Sequence, residues 1–372
     1  MAEKLRVGVI FGGQSGEHEV SLVSAQGIMR AMDKEKYEII PIGITKEGRW
    51  LTSGEPMKLL QSGGSGMSAQ IAEAEPETRE LMVRGRRDLV PGTRETGFPQ
   101  VDVVFPVLHG PYGEDGTVQG LLELADIPYV GAGVLGSALG MDKIAMKAVF
   151  MSHGLPVVEH VALKRRDWER DPEAVMELTE KELGYPCFVK PANLGSSVGI
   201  SKVNQRSELA PALRLAACYD RRMLAERAVN AREIEVSVLG NDEPIASAPG
   251  EIIPCREFYD YIAKYIDDRS ELIIPANLSP EATRRIQELA IAAFLAVDCA
   301  GMARVDFFLD KDTGELYVGE LNTIPGFTPI SMYPKLWAAS GISYSELIDR
   351  LIELAMERHA DNSRSETSYS PE

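Results

Sequence analysis

Residues 304–331 read RVDFFLDKDTGELYVGELNTIPGFTPIS, and this stretch decides the architecture of the C-terminal part of the chain. Residues alternate in character on both sides of the turn-forming run 310–314, which predicts a β-hairpin. Facing residues of an antiparallel pair share a face of the sheet. One predicted face is mostly apolar and includes Val305, Phe307, Leu309, Tyr317 and Leu321. The other face carries the polar residues Arg304, Asp306, Glu320 and Asn322, with Phe308 and Val318 in the same phase.

The polar face of this hairpin has the composition of a magnesium site. It combines two carboxylates and an amide oxygen, which are ligands that Mg²⁺ prefers, with a guanidinium beside them. A plain solvated face is the alternative, because polar outer faces are common in antiparallel sheets. An EF-hand beginning at Asp310 is excluded, since its fifth position is Gly314 and its twelfth is Leu321.

Composition limits the class of protein. The chain has 372 residues, too many for one hydrophobic core, which predicts two or three domains. Its net charge of −17 argues against binding to nucleic acid or to an anionic membrane. Its four cysteines form no C-x-x-C pair, and no apolar run reaches the length of a membrane span. We therefore expect a reduced, cytoplasmic protein.

The first part of the chain has the rhythm of an α/β domain. A strand at 5–11, a helix at 19–32 and a strand at 37–44 predict a parallel sheet. GGQSG after the first strand lacks the G-x-G-x-x-G spacing, which argues against a dinucleotide site. Residues 46–100 break the rhythm and are interpreted as an insertion, and strand 101–108 resumes the sheet.

A second unit begins at a predicted helix, 142–152, with Asp142 as its N-cap and with Lys143 and Lys147 one turn apart. Strand–helix alternation with antiparallel neighbours then indicates an α+β layer. Further strands are predicted at 156–162, 187–190, 223–227 and 233–239. Further helices are predicted at 172–183, 206–218, 280–297 and 343–358, before a polar tail that is expected to be disordered.

Two patterns suggest a nucleotide site. Residues 193–201, NLGSSVGIS, join two strands with small residues whose N–H groups and hydroxyls can close over phosphates, and Lys190 precedes them. A glycine-rich hairpin with a snorkelling lysine is the alternative. Glu226 and Glu233 stand at neighbouring strand ends, where carboxylates can accept from ribose hydroxyls or an adenine amine. Exposed glutamates are also ordinary at such positions.

Three loops could complete a site. The segment 256–265 is unusually aromatic and ends in Lys264 and Tyr265, which suggests a lid, or a loop packed on its own rings. Glu17 follows the first strand, where it is suited either to an ammonium group or to stabilising a helix start. The loop 322–331 has backbone N–H groups that could bind an oxyanion.

With these motifs in place, the chain resembles the D-alanine–D-alanine ligases of the ATP-grasp superfamily over nearly its whole length. The resemblance is carried by GGQSGEHEVSL at 12–22, LHGPYGEDGTVQG at 108–120, MDK at 141–143, KPANLGSSVGISKV at 190–203, FYDYIAKY at 258–265, ARVDFFL at 303–309 and ELNTIPGFTPIS at 320–331. It implies an ATP-grasp fold, mixed α/β and α+β, behind an N-terminal Rossmann-like parallel-sheet domain. The implied divisions are 1–140 with the insertion, 141–235, 236–360 and a disordered tail, 361–372.

The resemblance also implies roles for individual residues. Phosphates would be held by Lys143, Lys190, Ser196 and Ser197, and the base and ribose by Glu226, Val229 and Glu233. Lys264 would also bind the nucleotide. Mg²⁺ would be held by Asp306, Glu320 and Asn322. The first D-alanine would contact Glu17 and His109, with Ser196 and Tyr265 linking Glu17 to the lid. The oxyanion would contact Arg304 and the N–H of Gly326, and the second carboxylate Ser331 and Met332.

The implied activity is ATP-dependent joining of two D-alanines through a D-alanyl phosphate, for peptidoglycan synthesis. Two Mg²⁺ ions, with Mn²⁺ as a substitute, and a homodimer are expected. Three alternatives stay open: a D-alanine–D-lactate ligase, an ATP-grasp ligase for another carboxylate, and a nucleotide-binding regulator without turnover. Tyr265 argues against the first of them.

Overall fold

The computed structural model describes residues 4–52, 54–61, 99–253 and 271–366, and elements are numbered within these residues. Its strands form three sheets, one of them parallel in its centre and two antiparallel. Most of the expected insertion, including residues 62–98, lies outside the described residues, as does the expected lid with Lys264 and Tyr265. Within the described residues, no helix combines the length and apolar character needed to cross a membrane.

The first sheet has the predicted β-α-β beginning. Its elements are β1 (Leu5–Gly12), α1 (His18–Ala31), β2 (Tyr37–Ile44), β3 (Trp50–Leu51), α2 (Pro56–Gln61) and β4 (Val103–Val107). The strand order is β3-β2-β1-β4, with β1 parallel to both β2 and β4. Because β1 is central and its inner residues are buried, the loop that follows it opens at the carboxyl edge of the sheet.

Three helices lead from this sheet to the next: α3 (Thr117–Leu124), α4 (Val134–Met141) and α5 (Lys143–Ser152). The predicted N-cap of α5 is confirmed, because the Asp142 carboxylate accepts from the backbone N–H groups of Ile144 and Ala145 at 3.1 and 2.9 Å. Lys143 is therefore the first residue of the helix, and Lys147 lies one turn further on.

The second sheet is antiparallel, with strand order β5-β8-β6-β7. Its elements are β5 (His160–Lys164), α6 (Arg165–Arg170), α7 (Pro172–Leu183), β6 (Cys187–Pro191), β7 (Ser201–Val203), α8 (Arg206–Tyr219) and β8 (Arg222–Arg227). One face packs in a small core that includes Val189, Met223 and Ala225. The opposite face therefore presents Lys190 and Glu226.

The predicted strand 156–162 is wrong at its beginning, because the ladder with β8 starts only at His160. Before that point the chain turns to a different neighbour, since Pro156 O accepts a hydrogen bond of 2.8 Å from Val318 N. A segment shared between two partners cannot continue one regular ladder.

The third sheet contains the hairpin predicted at 304–331. Its elements are β9 (Ala231–Gly240), β10 (Ile245–Ala246), β11 (Gly250–Ile253), β12 (Glu271–Ile273), α9 (Pro280–Ala296), β13 (Gly301–Asp310), β14 (Leu316–Asn322), α10 (Met332–Ala339) and α11 (Tyr344–Asn362). The order is β12-β11-β9-β13-β14, with β10 beside β9. The prediction that these four polar residues share one face is confirmed: Arg304 lies opposite Asn322, and Asp306 lies opposite Glu320.

The phase predicted for β14 is wrong at Tyr317 and Val318, which precede Gly319. A register shift pairs Asp306 with Glu320 but Phe307 with Val318, so Gly319 is the extra residue of a β-bulge. Val318 is therefore buried in the core, and Tyr317 lies on the other face against the guanidinium of Arg227. A Cβ atom on Gly319 would lie 3.1 Å from Asp306 O, which favours glycine at this position.

Three sheets accord with three domains, a division that we propose, although residue 235 lies inside β9 rather than at its end. Helix α11 continues to Asn362, beyond its predicted end at 358. The expectation of a disordered tail over 361–372 is therefore wrong at 361–362, which are helical, and the tail lies outside the described residues from 367 onward. Helices α10 and α11 pack against the first sheet in one core with residues of β1, α1 and β4.

Phe327 joins these elements to the loop after β14. Its ring lies 6.0 Å from that of Phe105, 5.4 Å from Tyr333 and 6.0 Å from Tyr344, measured between centroids. Its backbone N–H donates to Ser24 Oγ of α1 at 3.2 Å. The first sheet, α10 and α11 therefore position this loop together.

We expect Phe327→Ala to lower the free energy of unfolding by about 3–5 kcal/mol, because it leaves a cavity between four elements. Chemical denaturation monitored by tryptophan fluorescence measures the change. Ile330→Ala, which truncates an exposed side chain of the same loop, is the matched control and should cost far less. Equal losses for the two variants would contradict this assignment.

Candidate active site

The polar face of the hairpin is a network of opposite charges. Arg304 donates to both oxygens of Asp306, each at 2.7 Å, in a fork that suits carboxylate geometry. Glu235, which faces Asp306 from β9, lies 3.1 Å from Arg304 Nε. Burial opposes the charged form, yet Asp306 and Glu235 raise the pKa of Arg304 well above its usual value. Arg304 is therefore a fixed cation inside an acidic sheet face.

The residues predicted to bind Mg²⁺ fit that ion. Asp306, Glu320 and Asn322 present hard oxygens from paired positions of two strands. No group of three or more His, Cys, Asp or Glu side chains within the described ranges would enclose a metal. Two carboxylates and an amide suit Mg²⁺, which takes its remaining ligands from water and substrate phosphates.

Lys143 connects this face to the glycine-rich loop. Its Nζ donates to Leu194 O at 2.8 Å and lies 3.9 Å from Glu320 Oε2. Its backbone N–H donates to Ala192 O at 3.0 Å, which fixes the start of α5 beside the loop. An ammonium at this junction adds positive charge between the predicted phosphate loop and the predicted metal face.

The loop between β6 and β7 has an unusual backbone. Ser196 and Ser197 have φ of 50° and 58°, a left-handed conformation that is uncommon in two successive non-glycine residues. Ser196 Oγ donates to Glu17 Oε1 of the first sheet's loop, across 179 residues of chain. A Cβ atom on Gly195 would lie 3.1 Å from Glu17 Oε2. Strained backbone held this way is typical of functional sites.

The side chain of Glu17 thus contacts the glycine-rich loop. It occupies the N-cap position of α1, but its side chain makes no capping hydrogen bond. His109 lies nearby, buried, with Nδ1 3.1 Å from Ile324 O and with no hydrogen-bond partner for Nε2 among the described residues. Burial lowers the pKa of His109, an effect that Glu17 opposes. The imidazole is thus held neutral beside an acidic subsite.

Glu114 is a buried carboxyl in this region for which the sequence predicted no role. It accepts from Gly110 N at 2.5 Å. Burial and the charge of Glu17 raise its pKa well above the usual value. The sequence signal that could have identified Glu114 is its position in LHGPYGEDG, a turn that follows a buried strand.

On the second sheet, Glu226 lies between two lysines. Its Oε2 accepts from Lys190 Nζ at 2.5 Å, and its Oε1 lies 2.6 Å from Lys147 Nζ. Burial alone would raise the pKa of Glu226, but Lys147 and Lys190 lower it to about 2. Lys190, which burial alone would make less basic, keeps a raised pKa through Glu226, Glu320 and Glu233. Lys147 is a member of this cluster that sequence reasoning did not assign.

The loop after β14 lies beside His109, since Ile324 O is 3.1 Å from His109 Nδ1. Ser331 Oγ accepts from Thr328 N at 3.0 Å, and a Cβ atom on Gly326 would lie 2.8 Å from it. The side chain of Met332 packs in an apolar cluster with Ile252 and Leu336, so only its backbone at the start of α10 can meet a ligand. Gly326 and Ser331 are thus neighbours, as an oxyanion and carboxylate subsite would require.

The other predicted residues fall around this centre. Glu233 faces Phe308 from β9 on the polar side of the third sheet. Val229 lies between β8 and β9, next to Ala228, whose N–H donates to Pro186 O at 3.0 Å. Lys264 and Tyr265 lie outside the described residues.

Comparison with known proteins gives consistent results. Residues 6–132 match the family model described as D-ala D-ala ligase N-terminus, and residues 149–353 match that of the D-ala D-ala ligase C-terminus. The chain is 50% identical over 368 residues to the D-alanine–D-alanine ligase of Natranaerobius thermophilus, covering 99% of each chain. It is 53% identical over 364 residues to that of Chloroherpeton thalassium, covering 96% of this chain and 98% of the relative.

Solved structures show the same similarity. The D-alanine–D-alanine ligase of Coxiella burnetii matches with a TM-score of 0.82 at 40% identity, covering 98% of this chain and 97% of the other. A D-Ala:D-Ser ligase from Enterococcus faecalis matches with a TM-score of 0.78 at 39% identity, covering 95% and 100%.

We expect the buried Glu226 to make folding stability depend on pH. Its pKa is lowered by folding, so ionised Glu226 stabilises the fold fully above pH 4.5, and this contribution is lost as the pH falls toward about 2. Glu226→Gln should therefore show a flatter fall of unfolding free energy below pH 4.5. Chemical denaturation between pH 3.5 and 7 measures the slope.

The matched control is Glu281→Gln, which removes an exposed carboxylate at the start of α9. An unchanged slope in Glu226→Gln, relative to wild type, would contradict the assigned role of the ion pairs.

Proposed function

The chain belongs to the D-alanine–D-alanine ligase family, and from this we propose that it joins two D-alanines with ATP for peptidoglycan synthesis. One observation supports it most strongly. A continuous line of contacts runs from Glu17 through Ser196 and Leu194 to Lys143 and Glu320. These contacts support one site that combines the proposed ammonium subsite, phosphate loop and metal face.

The family is ATP-dependent, and residues of this chain fit the nucleotide. Phosphates would lie between Lys143 and Lys190 under the loop of Ser196 and Ser197, where cations and backbone donors converge. The base and ribose would contact Glu226, Val229 and Glu233, and Lys264 would also bind the nucleotide. Mg²⁺ held by Asp306, Glu320 and Asn322 would neutralise charge on the phosphates during transfer.

The first half-reaction activates a carboxylate. A carboxylate does not react with an amine at neutral pH, because its oxygen is a poor leaving group. The carboxylate oxygen of the first D-alanine therefore attacks the γ-phosphorus of ATP, which gives D-alanyl phosphate and ADP. Glu17 holds the ammonium of this D-alanine, with the buried, neutral His109 beside it. Such positioning contributes up to about 7–11 kcal/mol in well-oriented systems.

The second half-reaction forms the amide. The amine of the second D-alanine attacks the carbonyl carbon, the C–O bond to phosphate breaks, and the nitrogen releases its proton. Negative charge develops on the carbonyl oxygen, and Arg304 with the N–H of Gly326 stabilises it. One such donor is worth about 2.7–4 kcal/mol. Ser331 and the backbone of Met332 would hold the second carboxylate, while Tyr265 and Ser196 would keep the lid closed over Glu17.

Local charge explains how an acidic chain takes an anionic substrate. The net charge is −17, yet Lys143 and Lys190 lie beside the glycine-rich loop, and Mg²⁺ held on the acidic hairpin face would add positive charge next to them. A concentration of positive charge in a cleft attracts anions whatever the total charge of the protein. We further propose that two Mg²⁺ ions are used, that Mn²⁺ substitutes for them, and that the protein acts as a homodimer in the cytoplasm.

We expect D-alanyl-D-alanine to be the main product when D-alanine competes with D-lactate or D-serine near neutral pH, because relatives at about 50% identity carry the name of the amide-forming enzyme. Phosphate release measures turnover, and mass spectrometry identifies the product. L-Alanine is the control and should give background release. A mainly ester product would indicate a D-alanine–D-lactate ligase instead. Release that is no faster with D-alanine than with other amino acids would indicate another carboxylate substrate, and nucleotide binding without any release would indicate a regulator.

Asp306→Asn should lower the rate of D-alanine-dependent phosphate release by about 10³-fold or more, because a neutral amide is a far weaker Mg²⁺ ligand than a carboxylate. The substitution also removes the two-point contact with Arg304. Circular dichroism should show an intact fold. Asp312→Asn makes the same change at an exposed turn of the same hairpin and should keep most activity. Retained activity in Asp306→Asn would refute the metal assignment.

A further inference from the structure

Lys147 is a buried cation without a role in the reaction described above. Its side chain is only 2% exposed, in the middle of α5, and its Nζ lies 2.6 Å from Glu226 Oε1. Burying an ammonium is costly unless it is paired, so this position is maintained against a considerable desolvation penalty. The pairing with Glu226 must therefore serve either the fold or the site.

The geometry divides the carboxylate of Glu226 between two lysines. Lys190 takes Oε2 and Lys147 takes Oε1. Lys190 stands next to the glycine-rich loop, where phosphates would attract it, whereas Lys147 is enclosed on its helix. When a nucleotide engages Lys190, Lys147 is thus the cation that stays with Glu226.

The charge state of Glu226 decides what it can recognise. An ionised carboxylate only accepts hydrogen bonds, and a protonated one also donates. An ionised Glu226 accepts from the exocyclic amine of adenine and repels the carbonyl oxygen that hypoxanthine has at the same position. Without a permanent cation, a carboxyl group this deeply buried would take up a proton more readily and lose this discrimination.

We propose that Lys147 is a positioning residue that determines base selectivity, holding Glu226 as an obligate acceptor so that the site takes a purine with an amine and rejects one with a carbonyl oxygen. This inference rests on the proposed function, because it assumes that Glu226 meets the base. The charged and titratable groups around the pair are Lys147 from α5, Lys190 from β6, His160 opposite Glu226 on β5, and Glu233 and Glu320, which act on Lys190 from the third sheet.

The test is nucleotide binding without amino acid, measured by titration calorimetry with MgATP and MgITP between pH 5.5 and 8. ITP carries the same phosphates as ATP, so the ratio of the two dissociation constants isolates the base. Wild type should prefer ATP by about tenfold or more, at a ratio that is constant over this range. In Lys147→Met the ratio should fall at low pH and recover as the pH rises, because Glu226 must then lose its proton without that cation.

Two further variants make the result decisive. Lys147→Met/Glu226→Gln removes the buried pair together, so it should fold where the single variant fails, and it should lose the ATP preference at every pH. Lys181→Met removes an exposed lysine of α7 and should behave as wild type.

The proposal is overturned if wild type shows no ATP preference, if folded Lys147→Met keeps the wild-type ratio and pH profile, or if the double variant keeps the preference. Failure of the proposed function would give a different result from failure of this inference. If only the proposed function were wrong, the ATP preference and its dependence on Lys147 would persist, while D-alanine would not stimulate phosphate release.

Discussion

The antiparallel register of β13 with β14 and β9 is the constraint on which the site depends. It places Asp306 opposite both Glu320 and Glu235, and Arg304 opposite Asn322. Three carboxylates on one sheet face repel each other, so the face requires cations. Arg304 supplies one from within the fold, and a divalent ion would supply more. The same register that builds the proposed metal face thus also fixes the position of Arg304, the proposed oxyanion partner.

Charge compensation recurs on the second sheet in a more buried form. There a single glutamate, Glu226, lies between Lys147 and Lys190. Removing one member of such a buried group costs more than the group contributes as a whole, because the remaining charge stays unpaired in a medium of low dielectric constant. The two sheets therefore share an arrangement in which bound ligands would exchange charge with the protein: Mg²⁺ would compete with Arg304 for Asp306, and phosphates would compete with Glu226 for Lys190.

The connections between the sheets explain how these charges are brought within reach of each other. Phe327 anchors the loop after β14 to the first sheet and to both C-terminal helices. Ser196 ties the glycine-rich loop to Glu17, and Lys143 ties it to the hairpin. Each contact joins segments far apart in the chain, so the site forms only when all three sheets are folded.

The sequence by itself determined the elements whose signals are local. Alternation around 310–314 predicted the hairpin and the shared face of Asp306 and Glu320, and Asp142 was predicted as an N-cap, because period, turn and capping chemistry act over a few residues. Motifs at Glu17, 190–203 and 304–331 carried the family resemblance. Tertiary structure alone decided the rest. The bulge at Gly319 places Val318 in the core. Ser196 donates a hydrogen bond to Glu17 from a loop 179 residues away in the chain. Lys147 is buried beside Glu226. Each of these depends on a partner on another element, and no local pattern specifies which distant side chain will be enclosed beside a given charge.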